Sequence, residues 1–188
     1  MKSVAFLDAN VLYSSMTRSV LIYLALAEVC QVRWSNAVHE EWIRNLTANR
    51  PDLDAKRLAR TRALMDARIP DALVTGYEPL MPSLVLPDLK DRHVLAAAVH
   101  GGVNVIVTEN LKDFPAAALV PYSMVAMHPD AFILGLIEAE PAKAVRAFAV
   151  DRSVLRMPAM STDEYLDALV ANKLPLTAAA LRPFSAAF

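Results

Sequence analysis

The stretch from Leu86 to Phe114, LPDLKDRHVLAAAVHGGVNVIVTENLKDF, leaves this chain few folds to choose from. An acidic cluster, Asp88 and Asp91, opens an apolar helix at Val94 to Val99. Gly101 and Gly102 end that helix, because glycine takes a left-handed C-cap conformation without a Cβ penalty. The run Val103-Asn104-Val105-Ile106-Val107-Thr108 is rich in β-branched residues and reads as a buried parallel strand. A polar tip, Glu109-Asn110-Leu111-Lys112-Asp113, follows it. In an open α/β sheet, ligands sit beyond the carboxyl ends of the strands. Asp91 and Asp113 are therefore expected to face one cleft.

The rest of the chain alternates in the same way. Strands are expected at 3–7, 31–34, 103–108 and 123–127, with a further short one at Leu73-Val74. Between them lie helices starting at Val11 to Met16, then at Arg18 to Val29, Ala37 to Thr47 and Asp52 to Arg68. Ser35-Asn36 offers an N-cap to the third of these. Strands that alternate with helices predict an α/β fold, a parallel sheet flanked by helices. His128-Pro129-Asp130 marks a change. Beyond it only helices are read, at Ala131 to Ala139, Pro141 to Val150, Thr162 to Ala171 and near Thr177 to Leu181. Ser161 with Glu164 makes a capping box, and Pro141 suits a first helical turn. The expected organisation is an α/β unit over residues 1–128 and a small all-helical C-terminal extension over 129–188.

Composition narrows the function classes. With 188 residues the chain suits one domain and an appendage, and 55% hydrophobic content argues against disorder. The net charge of -1 does not advertise a polyanion partner. One segment departs from that balance: between Arg44 and Arg68 seven basic residues face three acidic ones. Within it Lys56, Arg57 and Arg60 are candidates for phosphate contacts, against a plain solvated face. The single cysteine, Cys30, excludes an internal disulfide and suggests a reducing compartment. No charged leader with a cleavage site is visible, and the longest apolar run, Val20 to Ala27, is far shorter than the roughly 20 residues of a membrane span. A cytoplasmic protein without a membrane segment is expected. None of His39, His93, His100 and His128 shows metal-ligand spacing, and His93 reads as an exposed helix residue near the acidic cluster.

Acids recur at element ends. Asp8 follows the first strand, Glu41 lies on the helix after the second, Asp91 precedes the strand at 103–108 and Asp113 follows it. Carboxylates gathered at one rim repel one another, and a divalent cation is the usual remedy; Mg²⁺ and Mn²⁺ prefer such oxygen ligands. A site of this kind activates water and clamps phosphate oxygens. No covalent nucleophile stands out. A phosphatase of the haloacid-dehalogenase kind, a receiver domain and a non-catalytic binding module stay open as alternatives, although that phosphatase wants a second Asp where Asn10 stands.

The pieces Phe6-Leu7-Asp8-Ala9-Asn10-Val11-Leu12, Glu40-Glu41-Trp42 after Ser35, Asp91 followed by Val94-Leu95-Ala96-Ala97-Ala98, and Val107-Thr108 followed by Asn110 and Asp113-Phe114 together resemble the PIN domain nucleases. The match in order and spacing runs across residues 3–127, and the helical tail is similar to that of one subgroup of VapC-type toxins. The resemblance implies Mg²⁺- or Mn²⁺-dependent endoribonuclease activity in the toxin of a toxin–antitoxin pair. It implies tRNA or rRNA as substrate and a cognate antitoxin as partner. The site would comprise Asp8, Glu41, Asp91 and Asp113 as catalytic and metal-binding acids, supported by Asn10, Thr108 and Asn110. The family often has Asp where Asn110 stands, which makes Asp113 the fourth acid. Glu40 and Glu41 sit about 100° apart on their helix, so only one is expected to face the cleft, and Glu41 is chosen. A homodimer is the expected assembly, with Val20, Leu21, Leu24 and Leu26 serving either core or interface.

Overall fold

The computed structural model describes residues 3–155 and 159–187. Its centre is a five-stranded, all-parallel sheet in the order β3-β2-β1-β4-β5. The strands are β1 (Val4–Leu7), β2 (Gln31–Ser35), β3 (Leu73–Val74), β4 (Val105–Val107) and β5 (Val125–Met127). β1 and β4 are the inner pair, and Ala5, Phe6, Leu7, Ile106 and Val107 are fully buried. Burial on both faces explains why these strands read as unbroken apolar runs.

The strand order decides where a ligand can bind. From β1 the chain steps outward to β2 and β3, then returns to the other side of β1 as β4 and continues to β5. The direction of travel reverses between β1 and β4, and the crevice beyond the carboxyl ends of two such strands is the usual ligand site of an open parallel sheet. Asp8 follows β1 and Thr108 follows β4.

The helices fall close to expectation, with informative shifts. α1 (Ala9–Tyr13) begins immediately after β1, since Asp8 accepts the Ala9 N–H at 2.7 Å and caps it. The backbone then breaks at Ser14, whose hydroxyl accepts the Thr17 N–H at 3.2 Å and starts α2 (Ser15–Leu26). α3 (Asn36–Asn49) has Ser35 as its N-cap. α4 (Ala55–Arg68) is capped by Asp54, two residues later than the expected start at Asp52. Asp91 closes a short 3-10 turn, and α5 (Arg92–His100) follows; Gly102, at φ +60°, takes the left-handed conformation expected of it. Strand 103–108 shortens to β4, and Asn104 before it pairs with Val4 twice, donating its backbone N–H to the Val4 carbonyl and accepting the Val4 N–H on its side chain, each at 3.0 Å. A single turn, α6 (Ala116–Leu119), precedes β5.

Beyond residue 128 come α7 (Pro129–Ala139), α8 (Pro141–Val154), α9 (Thr162–Ala171) and α10 (Pro175–Leu181), with the Ser161–Glu164 capping box in place. Two buried carboxylates tie these helices down. Asp130 on α7 accepts the Leu176 and Thr177 N–H groups and the Thr177 hydroxyl at 2.7 to 2.9 Å, which caps α10. Asp151 on α8 accepts from Ser19 of α2 and, at 2.5 Å, from Tyr165 of α9. The extension is therefore pinned to the α/β unit through α2. Of the two roles open to them, core or interface, Val20, Leu21 and Leu24 take the core of this chain; Leu26 alone of the four is exposed. Cys30 is buried, and burial pushes its thiol up to about 12, so it packs as a small apolar residue. Among the described residues no helix is long and apolar enough to cross a membrane.

Candidate active site

Asp8 is the fixed point of the site. It is 7% exposed, and each of its oxygens is held. Oδ1 accepts the Ala9 N–H, and Oδ2 accepts the Thr108 hydroxyl and the Asn10 amide, both at 2.7 Å. Asn10 in turn accepts the Glu109 N–H at 3.0 Å, and Thr108 accepts the Asn110 N–H at 3.0 Å. The β1–α1 turn and the segment after β4 are thus stitched together through one carboxylate. Burial raises the pKa of Asp8, against the lowering effect of the Thr108 and Ala9 hydrogen bonds.

In front of it lies a depression of about 550 Å³, bordered by Glu41, Asp91, Asn110 and Asp113. Asp91 has no hydrogen-bonded cap to its helix. Burial first, and then the charges of Asp8, Asp88, Asp113 and Glu41, push its carboxyl up to about 6. Every one of those neighbours acts in the same direction, since like charges disfavour a further ionised carboxylate. Glu41 behaves oppositely. A hydrogen bond from His93, with Nε2 to Oε2 at 3.4 Å, is the main cause that holds it below the usual glutamate range.

The structure therefore gathers Glu41, Asp91 and Asp113 around one opening with Asn110 on the rim, while Asp8, held by Asn10 and Thr108, does not border it but lies close enough for its charge to act on Asp91. Two expectations need correction, and the basic run on α4 can be placed. Glu40 also borders the depression: an open bowl is wide enough to be edged by two side chains about 100° apart. Glu40 is exposed, whereas Glu41 is half-buried and paired. His93 is not an exposed helix residue; its side chain is 16% exposed and holds Glu41. Lys56, Arg57 and Arg60 are exposed on α4 but do not line the depression; the cations that do are Arg44 and Lys90. Asp88, which adds to the charge on Asp91, turns its side chain back to accept the Lys90 N–H at 2.9 Å.

Behind α3 a buried network holds that helix in place. Trp42 Nε1–H donates to His39 Nδ1 at 2.9 Å, which leaves the His39 proton on Nε2, facing Asp66 of α4 at 3.1 Å. Trp34 of β2 donates to the same Asp66 oxygen at 2.8 Å. α3, α4 and β2 are thereby locked together, and Glu41 is presented from a rigid element.

Among the described residues no three Asp, Glu, His or Cys side chains form a ready-made cation cage. The donor chemistry nevertheless suits a hard cation: the lining acids offer oxygen ligands, and burial and four neighbouring acids all disfavour the charged form of Asp91.

An open parallel sheet with this acidic bowl at its switch point defines a class, and comparison with known proteins identifies it. Residues 4–112 match the PIN domain model, and the chain belongs to the PIN domain family. This sets aside the phosphatase and receiver-domain alternatives. Residues 129–183 match the VapC50 C-terminal domain. Among curated proteins, the chain is 39% identical over 132 residues to "Putative ribonuclease VapC50" of Mycobacterium tuberculosis (strain ATCC 25618 / H37Rv). That alignment covers 67% of this chain and 76% of the relative. No solved structure matches the chain significantly.

Proposed function

We propose that this chain is a divalent-cation-dependent endoribonuclease of the VapC type, the toxin of a type II toxin–antitoxin pair acting in the cytoplasm. Nucleases of the PIN family are generally dependent on a divalent metal. The observation that carries the reading is the crowding of Asp8, Glu41, Asp91 and Asp113 at the switch point, where burial first and then the neighbouring acids raise Asp91 to about 6. Crowding of this kind is costly unless a cation shares the site.

Asp8, Asp91, Asp113 and Glu41 would hold Mg²⁺ or Mn²⁺, which when bound activates water and neutralises charge developing on the phosphate. Asp8 is pre-aimed by Asn10 and Thr108, so it keeps one orientation as substrate enters. Glu41 is held ionised by His93 and is available as a ligand or proton acceptor. Asn110 offers a neutral oxygen at the rim, and Asp113 supplies the fourth charge. The exposed cations Lys56, Arg57 and Arg60 on α4 give the RNA backbone a place to lie, with Arg44 and Lys90 nearer the scissile group. Residues 1–128 form the nuclease unit and 129–188 the extension. The RNA is tRNA or rRNA, the active form is a homodimer, and the cognate antitoxin lays a basic side chain against the acids, competing with the metal.

Induced expression of the wild-type chain in bacteria tests this reading. Growth arrest is expected, with relief by Asp8→Asn and by co-expression of the antitoxin. Equal arrest by wild type and Asp8→Asn would separate toxicity from the carboxylates and favour a non-catalytic binding module.

A further inference from the structure

Glu41 is not the last functional side chain along α3. Asn45 and Asn49 follow it at four and eight residues, about 6 and about 12 Å further along the axis. These two amides border a second cavity, of about 430 Å³, whose lining includes Asn10, the residue whose amide donates to Asp8. Tyr13 of α1 lies beside them, and Asn172 and Lys173, in the turn after α9, supply the wall from the helical extension. A cavity of this size lies within the range of small-ligand sites, roughly 300–1,000 Å³.

The walls are fixed and the amides are free. Asn172 accepts the Ser14 hydroxyl at 3.1 Å and donates to the Ala168 carbonyl at 2.9 Å. Lys173 sits at φ +64°, a conformation a residue with a side chain keeps only where its surroundings dictate it. Asn49 reaches the Tyr13 hydroxyl only at a long 3.4 Å, and Asn45 has no hydrogen-bond partner among the described residues. The charge of the cavity is already balanced, because the Lys173 ammonium lies 2.5 Å from Glu109. A phosphate would need an unpaired cation here. What the lining offers is neutral: carboxamides that donate and accept at once, and one aromatic ring.

That chemistry fits a nucleobase. Carboxamides pair with base edges through two hydrogen bonds, and aromatic side chains stack on unpaired bases. We infer that this cavity receives the base of an unpaired RNA nucleotide flanking the scissile phosphate, with Asn45 and Asn49 reading its edge and Tyr13 flanking its ring. The pocket makes the enzyme selective for sequence, and the helical extension builds one wall of it. The inference rests on the ribonuclease reading.

Cleavage of short single-stranded RNA oligonucleotides that differ only at the bases flanking the cut tests it, with Mn²⁺ present. The wild type should prefer one base. Asn45→Ala and Asn49→Ala should flatten that preference by roughly 5- to 150-fold. Tyr13→Phe should keep most of the preference and Tyr13→Ala should lose it. Both asparagines are exposed, so these variants should fold, as their melting temperatures will report. Robust wild-type cleavage without base preference, or a preference unchanged in Asn45→Ala and Asn49→Ala, overturns the pocket and leaves the ribonuclease reading standing. Absence of any cleavage by the wild type overturns that reading, and the pocket with it.

Discussion

Carboxylates below the surface, buried or half-buried, occur in two settings in this molecule. In the helical extension, Asp130 is surrounded by donors: two backbone N–H groups and a hydroxyl. Asp151 likewise has Ser19 and Tyr165, although burial still raises its pKa. At the sheet edge, Asp91 is surrounded by other acids and has no hydrogen-bonded cap. The first setting satisfies the carboxylate within the chain and makes it an architectural joint. The second leaves a charge unsatisfied, to be completed from outside. Asp8 stands between the two, anchored by donors yet open to the crowd.

This contrast is best broken by substitution. Asp8→Asn and Asp91→Asn should each lower RNA cleavage by more than about 100-fold, since loss of a residue that merely supports a metal ligand costs roughly 10- to 100-fold. Cleavage within tenfold of wild type in either variant would remove that acid from the site. Thr108→Val should fall in the supporting range itself, about 10- to 100-fold, because Asp8 loses one of the two donors on Oδ2. Asp130→Ala should do the reverse. Removing it leaves buried donors unpaired, at a cost of about 1–3 kcal/mol of stability. A melting temperature lower by roughly 2–4 °C per kcal/mol is expected, with cleavage per folded molecule unchanged.

A pH series sharpens the same comparison. Asp91 has an ordinary pKa of 3.8 in the unfolded chain and about 6 in the fold. Folding therefore favours its protonated form. The stability it contributes falls as pH rises through that window and is lowest above it. Without metal, Asp91→Asn should melt higher than wild type near neutral pH, and the gap should shrink as the pH falls toward 3.8. A gap that does not change with pH would mean that the crowding is relieved in solution.

Much of this was legible in the sequence, for identifiable reasons. β1 and β4 are buried on both faces, so they appear as apolar runs, and a carboxylate at the end of such a run must emerge at the sheet edge. That logic singled out Asp8 and Asp113, and the apolar run Val94 to Val99 singled out Asp91 as the acid at the start of its helix. The helix caps at Ser35 and Ser161 were equally local. What stayed hidden depends on neighbours distant in sequence. His93 follows Asp91 by two residues with no periodic signature, and only its approach to α3 shows that it holds Glu41. Arg44 and Lys90 border the bowl because two separate segments meet there. The break at Ser14 depends on a hydroxyl that caps the next helix. The basic run on α4 was visible, yet its distance from the acids was not, because the His39–Asp66 network sets how α4 lies on α3.

One titration bears on the central claim most directly. Mn²⁺ is added to metal-free protein while RNA cleavage and melting temperature are followed together, for wild type and Asp91→Asn. A cation that completes the acidic bowl must stabilise the fold by mass action as it switches on the reaction. Both signals should rise over the same metal concentrations in the wild type, fall together on EDTA addition, and stay flat in Asp91→Asn. Cleavage that persists in EDTA, or a melting curve unmoved by millimolar Mn²⁺ while cleavage proceeds, would contradict a cation-completed carboxylate site.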